Sequence, residues 1–492
     1  MVILYNPTSA NPKQAPLPMS LLALGAILED KYEYEIVDGN FLKNPYAELS
    51  AILREKNASV LGMTVMPGPQ LNEAVPLAKK IKRELPNLPI AWGGYFPTQH
   101  SDVILKSGCV DYVVHRQGEY TFLELLDVLK NGGALSDVNG LSYRNGGKIK
   151  TNVSRVLTPL DNFPSLPYHR VNMERYIRNN YIGSRTTDYS SSYGCPFACN
   201  FCAIVSMSNQ RWLPESPKRM ADNISLLKVR YGVNAILFHD MDFFINEARV
   251  AEFCDRIKNM DMSWWALGRV DELHRFKDST WNLMKQSGLK MVFCGAESGS
   301  DEMLSEMNKG GKASTQLASD LVVKMKSYGI IPEYSFVLGN PPDPDRDIEI
   351  TFNFIRKLKN LNPALELILY TYTPVPIDAS LGNLYEKAKA AGFTFPNTLD
   401  EWVEEPWSRF ALRRDPKTPW LDGKIYTKIR NFERVINAYY PTTTDMRLTG
   451  MRQKVLKLFG GWRYKLQFYN SPVELRLLQK LFAYQRPETT GF

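Results

Sequence analysis

The chain has 492 residues, of which 44% are hydrophobic and 23% charged, with a formal net charge of +8. This is ordinary globular composition, with length enough for several domains. No apolar run reaches the ~18–20 residues that a bilayer-spanning helix needs, six cysteines in so long a chain make no disulfide framework, and the opening Met1–Pro7 reads as a strand rather than a leader, so a reducing cytoplasm is the expected location.

Residues 1–140 alternate between two patterns. Short apolar runs predict strands at Val2–Tyr5, Tyr34–Val37, Ser59–Val65, Pro89–Trp92 and Val110–His115. Helical spacing falls between them at Pro18–Leu28, Ala47–Lys56, Leu71–Leu85, Val103–Lys106 and Thr121–Leu129. Such alternation predicts a doubly wound, Rossmann-like parallel sheet, which binds ligands at the carboxyl ends of its strands. Three segments stand there: Gly62-Met63-Thr64, Gly93-Gly94-Tyr95, and Arg116-Gln117-Gly118-Glu119. Glycines at strand ends admit a flat, bulky ligand to the backbone, although each segment alone is also ordinary turn chemistry.

Residues 141–180 form a connector. Gly140–Lys150 predicts a small hairpin turning at Asn145-Gly146, and Leu157–Pro167 is a proline-rich linker.

The most informative segment follows. Cys195, Cys199 and Cys202 are spaced C-x3-C-x2-C in Tyr-Gly-Cys-Pro-Phe-Ala-Cys-Asn-Phe-Cys, just after a strand predicted at Thr187–Tyr193. Three thiolates around one point suit an iron–sulfur cluster, and the missing fourth cysteine leaves one iron open. A structural zinc site is the alternative, but it normally shows paired C-x2-C knuckles and four protein ligands. Cys109, Cys254 and Cys294 are scattered and read as buried fillers.

Residues 181–390 alternate again. Strands are predicted at Thr187–Tyr193, Ala235–His239, Trp264–Val270, Met291–Ala296, Glu333–Leu338 and Glu366–Tyr372, with helices such as Glu247–Lys258 and Leu317–Tyr328 between them. Six βα units predict a partial TIM-type (β/α) barrel with its chemistry at the carboxyl ends of the strands. His239-Asp240-Met241-Asp242, Gly268-Arg269-Val270-Asp271, Gly295-Ala296-Glu297-Ser298-Gly299 and Val337-Leu338-Gly339-Asn340-Pro341 fall there. Arg269 and Asp271 could equally be a local ion pair, and Glu297 a solvated carboxylate.

Residues 391–492 read as a mostly helical region that caps the barrel mouth and shapes the substrate pocket. From 441 onward nine basic residues (Arg447, Arg452, Lys454, Lys457, Arg463, Lys465, Arg476, Lys480, Arg486) face three acidic ones (Asp445, Glu474, Glu488), among many aromatic and leucine side chains. An amphipathic helical region packed on the core is one reading; a surface meeting an anionic membrane or a hydrophobic, anionic substrate is the other. No nucleic-acid module is recognisable.

The cysteine triplet resembles that of the radical S-adenosylmethionine (SAM) superfamily, and the three strand-end segments of residues 1–140 resemble the cobalamin-binding domain of one large subfamily within it. The likeness spans residues 1 to about 390. It implies a 4Fe-4S cluster on Cys195, Cys199 and Cys202, with SAM at the open iron. It also implies cobalamin near Gly62, Thr64, Gly93, Gly94, Gln117, Gly118 and Glu119, and SAM contacts from Asp240, Arg269, Glu297 and Ser298. Many cobalamin domains carry an Asp-x-His-x-x-Gly ligand motif, but the first of five histidines here is His100, and Asp38-Gly39-Asn40 has none. His100 and His115 read as structural or rim residues. The activity implied is a methyltransferase that carries a methyl group from SAM through cobalamin to an unactivated carbon of a small-molecule or lipid-like substrate. An electron donor such as flavodoxin or ferredoxin is implied as a partner. Cyclisation or rearrangement without methyl transfer is the alternative; in another class, so is a non-catalytic cobalamin or cluster sensor.

Overall fold

The computed structural model describes residues 1–309, 313–376, 379–413, 418–446, 448 and 450–483. The first sheet has seven strands: β1 (Val2–Asn6), β2 (Tyr34–Asp38), β3 (Val60–Thr64), β4 (Ile90–Gly93), β5 (Tyr112–Val114), β6 (Leu141–Asn145) and β7 (Lys148–Thr151), in spatial order 2-1-3-4-5-6-7. The first five are parallel. Their runs are apolar almost throughout because helices cover both faces, and β1 is buried at all five positions. Strand order reverses between β1 and β3, so the carboxyl ends there and at β4 and β5 form the crevice of a doubly wound sheet.

The hairpin expected in the connector joins this sheet instead, β6 pairing antiparallel with β5. Its turn lies one residue later than the sequence suggests. Asn145 pairs with Lys148, and the central residues are Gly146 and Gly147, both at positive φ (55° and 80°). A two-residue turn with both residues left-handed favours glycine at both places, and the chain offers two in a row.

The second sheet has six parallel strands in sequential order: β8 (Thr186–Tyr189), β11 (Ala235–Phe238), β12 (Ser263–Arg269), β13 (Leu289–Glu297), β14 (Ile331–Leu338) and β15 (Glu366–Thr371). β8 and β15 form its two edges, so it is an open, partial barrel. The strand expected at 187–193 breaks in two. The amide and hydroxyl of Ser191 donate to the Asp240 carboxylate (3.0 and 2.8 Å), which pulls the chain out of the sheet. Residues Ser192–Gly194 then form β9, paired antiparallel with β10 (Trp212–Pro214). That two-stranded ribbon carries the cysteine loop.

Among the described residues everything after β15 is helical or irregular, the longest helices being Gly423–Tyr439 and Met451–Lys465. None of the described helices is long and apolar enough to cross a membrane. Arg447, Arg486 and Glu488 lie outside the described residues.

Side chains from distant segments tie the two sheets together. Arg178 donates to Gln14 O (2.9 Å) and to the Asp188 carboxylate (2.5 Å), which also accepts from Leu17 N (3.0 Å). The C-terminal region docks on the first sheet through an aromatic cluster in which His100 lies against Phe96, Phe395 and Trp402, ring centroids 4.7–5.5 Å apart. Burial there lowers the His100 pKa from 6.5 to about 4.

The folded chain therefore keeps His100 neutral where the unfolded chain protonates it. Stability is lost as pH falls from 6.5 towards about 4, by up to about 3 kcal/mol. Thermal unfolding of wild type and His100→Phe across that window should show the wild type weakening faster; parallel curves would contradict a buried neutral imidazole.

Candidate cluster and cofactor site

Gly194 ends β9 at φ +80°, and a Cβ there would lie 2.2 Å from Arg211 O and 2.5 Å from Ser208 Cβ. Only glycine lets the ribbon close this tightly before the cysteines. The loop then turns on Cys202 N donating to Cys199 O (3.1 Å) and runs into the helix Ile204–Ser208. All three cysteines are free thiols, Cys199 buried and the other two partly so. Burial pushes the Cys195 thiol up to about 12, and the nearby Asp242, Cys202 and Cys199 charges add to the shift. Burial raises Cys202 too. Sulfurs that disfavour one another's ionisation need a cationic centre to ionise together, which a metal cluster supplies. Among the described residues no set of three Cys, His, Asp or Glu closes tightly enough to hold a single ion. Three free thiols on one tight loop are the soft donors that an iron–sulfur cluster takes, so this donor set fits a cluster.

Arg269, at the end of β12, is buried beside the loop. Its Nη1 donates to Cys199 Sγ (3.2 Å), Nε and Nη2 grip the Asp271 carboxylate (3.0 Å each), and Nη2 also reaches Lys309 O. The guanidinium stacks on Phe197, 3.8 Å from the ring centroid. It is thus both the local ion pair with Asp271 and a donor to the Cys199 thiol.

Beyond it, β13 ends in a bulge where Glu297 adopts φ +64°. The Glu297 carboxylate folds back to the buried Lys309 ammonium (2.6 Å). Glu297 is therefore not a solvated loop carboxylate. The neighbouring Ser298 hydroxyl accepts from Ser300 N (3.1 Å).

The acidic turn after β11 separates into two roles. Asp240 is satisfied by Ser191 and Ser192 and anchors the ribbon. Asp242 is equally buried, yet its Oδ2 has no partner; burial raises its pKa to about 7, and its field reaches Cys195. Past β14, Asn340 donates to Val337 O (2.7 Å) and Asp347 (3.0 Å), while Trp420 from the C-terminal region donates to Gly339 O (3.0 Å).

On the first sheet, the glycines divide. Gly94 has φ +103° and opens the helix after β4. Gly62 and Gly118 instead make room for protein: a Cβ would meet Phe122 at 2.9 Å and Val114 at 2.7 Å. At Gly93 a Cβ would find only ordinary contacts with Val114, the nearest at 3.6 Å. Thr64 Oγ1 is bonded to Ser20 (3.3 Å), and the Gln117 amide is spent on Thr158 of the linker. Glu119 is half-buried with its Oε2 enclosed and unpartnered, and burial raises its pKa to about 7. An orphaned carboxyl at the start of the helix that follows β5 fits a ligand rich in amide donors, as the corrin periphery is.

The two halves meet at this point. Gln99 Nε2 donates to Ser206 Oγ (2.8 Å) and Arg116 Nε to Ser206 O (3.1 Å), joining the ends of β4 and β5 to the helix that follows the cysteines. Tyr95, half-buried, lies within reach of the Cys202 and Arg413 charges.

Sequence reasoning did not single out Lys309, Asp242, Tyr95 or Arg413. Lys309 stands in Met-Asn-Lys-Gly-Gly-Lys, where a lysine beside two glycines was the only local signal. Asp242 was visible in the acidic turn but could not be ranked above Asp240.

A doubly wound domain and a partial barrel joined over three clustered thiols define a cofactor-dependent enzyme of the radical SAM class. Residues 7–126 match the B12 binding domain family and residues 189–355 the Radical SAM superfamily. An uncharacterized methyltransferase of Pyrococcus horikoshii is 30% identical over 345 residues, covering 69% of this chain and 73% of that protein. The anaerobic magnesium-protoporphyrin IX monomethyl ester cyclase of Synechocystis is 27% identical over 374 residues, covering 73% and 72%. Among solved structures, the cobalamin-dependent SAM radical enzyme OxsB superposes with TM-score 0.66 at 18% identity, covering 98% of this chain and 75% of that one. The chain belongs to the cobalamin-dependent radical SAM enzymes, whose cofactors are a 4Fe-4S cluster, SAM and cobalamin.

Replacing Cys195, Cys199 and Cys202 together with Ala should abolish iron binding on reconstitution, and Gly194→Ala should lower it severely through the clash with Arg211 O. Cys294→Ala should leave iron per chain unchanged; equal loss there would refute the three-cysteine assignment.

Proposed function

We propose that this enzyme is a C-methyltransferase, moving a methyl group from SAM by way of cobalamin to an unactivated carbon of a small-molecule or lipid-like substrate. The observation that carries the reading is the seam at Ser206, where the ligand-binding edge of the first sheet abuts the cysteine loop. Transfer between two cofactors needs both held at one cavity, and a bound encounter removes much of the entropic barrier to it. When bound, the cluster with SAM supplies a hydrogen-abstracting radical and cobalamin supplies the methyl group. The similarity to a methyltransferase over most of both chains favours this outcome.

In this reading Cys195, Cys199 and Cys202 hold the cluster. Arg269 acts on Cys199: a cation donating to a ligand sulfur stabilises the more negative, reduced cluster and raises its potential. Lys309, tied to Glu297, is the cation available to SAM's carboxylate, and Asp242 the buried acceptor for its amino group; Ser298 and the end of β14 support the nucleoside. Gly94, Glu119, Gly93 and Thr64 border the corrin, while Gln117, Gly62 and Gly118 shape that border from behind. Neither His100 nor His115 would be free to bind the cobalt of a bound corrin. His100 packs among aromatic rings, and His115 Nε2 bonds to Ser142 (2.7 Å). The partners are an electron donor such as flavodoxin or ferredoxin and a peripheral membrane contact through the basic C-terminal region, and the location is the cytoplasm. Ring formation without methyl transfer is the second reading, favoured by the similarity to the cyclase.

Mass spectrometry of SAM-derived products separates the two. A methyltransferase should form S-adenosylhomocysteine only when cobalamin is present, alongside 5′-deoxyadenosine. Deoxyadenosine with no cobalamin-dependent S-adenosylhomocysteine would decide for the cyclase reading.

Arg269→Gln, reconstituted to the same iron content, should show a more negative cluster midpoint potential in redox titration followed by electron paramagnetic resonance. An unchanged potential would remove Arg269 from this role.

A further inference from the structure

Ten of the nineteen large apolar side chains that stand exposed among the described residues lie between 446 and 481, on one corner of the molecule. They form stripes. On the helix Met451–Lys465 and its cap, Met451 (79% exposed), Leu458 (74%), Trp462 (47%) and Leu466 (73%) recur at helical spacing on one face. On the adjacent helix Val473–Leu481, Leu477 (65%) and Leu481 (76%) do the same. The opposite faces are ordinary core, with Leu456, Tyr464 and Leu475 buried against the barrel. These helices thus carry two apolar faces each, one used for folding and one turned to solvent. A solvent-facing patch of this kind marks an interaction surface.

Charge identifies the occupant. Between 451 and 483 there are seven basic residues and one acidic, Glu474, which is spent on Arg463. Lys454, Lys465, Arg476 and Lys480 are exposed around the stripes. A second copy of the chain would bring like charges together. Nucleic acid would leave the leucines in water. An anionic bilayer satisfies both sets: leucines and a tryptophan enter the acyl boundary while lysines meet the headgroups. We propose that the paired helices 451–465 and 473–481 dock this enzyme on the surface of an anionic lipid membrane, lying in the interface without crossing it. The inference deepens the peripheral contact named above and places a lipid-dissolved substrate within reach of the helical region that covers β14.

The test is flotation of the full, reconstituted chain with vesicles of phosphatidylcholine alone and of phosphatidylcholine mixed with phosphatidylglycerol. The mixed vesicles should carry the protein, and added salt should release it. Leu458→Ser, Leu466→Ser, Leu477→Ser and Leu481→Ser combined should abolish flotation, and Lys454→Gln, Lys465→Gln and Lys480→Gln combined should weaken it roughly a hundredfold. All these positions are exposed, so iron content and SAM cleavage measured on the same samples should stay at wild-type values and report separately on the reading of the active site. The proposal is overturned if mixed vesicles do not float the wild type, if the serine variant still floats, or if the wild type is a dimer that the serine variant converts to monomer.

Discussion

The site is organised by one buried guanidinium. Arg269 ends β12 where the cysteine loop and the segment ending at Lys309 converge, and its flat fork bonds to both and to Asp271 just after the strand. A cation taken out of water must have its charge and its donors met, or burial costs several kcal/mol. Asp271 meets the charge, and two further N–H groups point at Cys199 Sγ and a backbone carbonyl. A lysine could not do this: a point charge on a flexible stem has no fixed fork to set two partners at defined angles while stacking on Phe197. The loop's position is therefore dictated from the barrel as well as from its own covalent spacing.

The second constraint is the seam. Both sheets are parallel at their functional edges, so each presents its strand carboxyl ends, with free backbone amides and loops, on a single side. The Arg178–Asp188–Leu17 bonds and the Ser206 contacts turn those two sides towards each other. Residues 391–413 then cover the first sheet with a dense aromatic cluster, and Trp420 caps the end of β14. Covering of this kind keeps water from the strand ends, as chemistry through reactive radicals demands.

Glycine shows how one residue type serves opposite ends here. Gly194 and Gly94 adopt backbone angles that a side chain would strain, and both border the site. Gly62 stands instead in the middle of β3 and Gly118 caps the helix after β5, and the space they leave is filled by Phe122 and Val114. A glycine in the sequence does not separate the two cases; the neighbour that occupies the space comes from another element.

The cysteine spacing, the alternation of both halves and the lack of an early histidine were legible in the chain, because each is a matter of residues close in sequence. Strand runs and helical periodicities report local burial, and they placed both sheets and their order along the chain. The break of the strand at Ser190, the one-residue shift of the hairpin turn, and the different fates of Asp240 and Asp242 were not legible. Whether a buried carboxylate is spent or available depends on donors 48 and 49 residues away in Ser192 and Ser191. Arg269 likewise turns to a thiol 70 residues distant, and Lys309 reaches back across a loop to Glu297. Sequence supplied the candidate groups and the order of the elements that carry them; only tertiary structure decided which of those groups were left with bonds to make, because burial and hydrogen-bond satisfaction are set by neighbours in space.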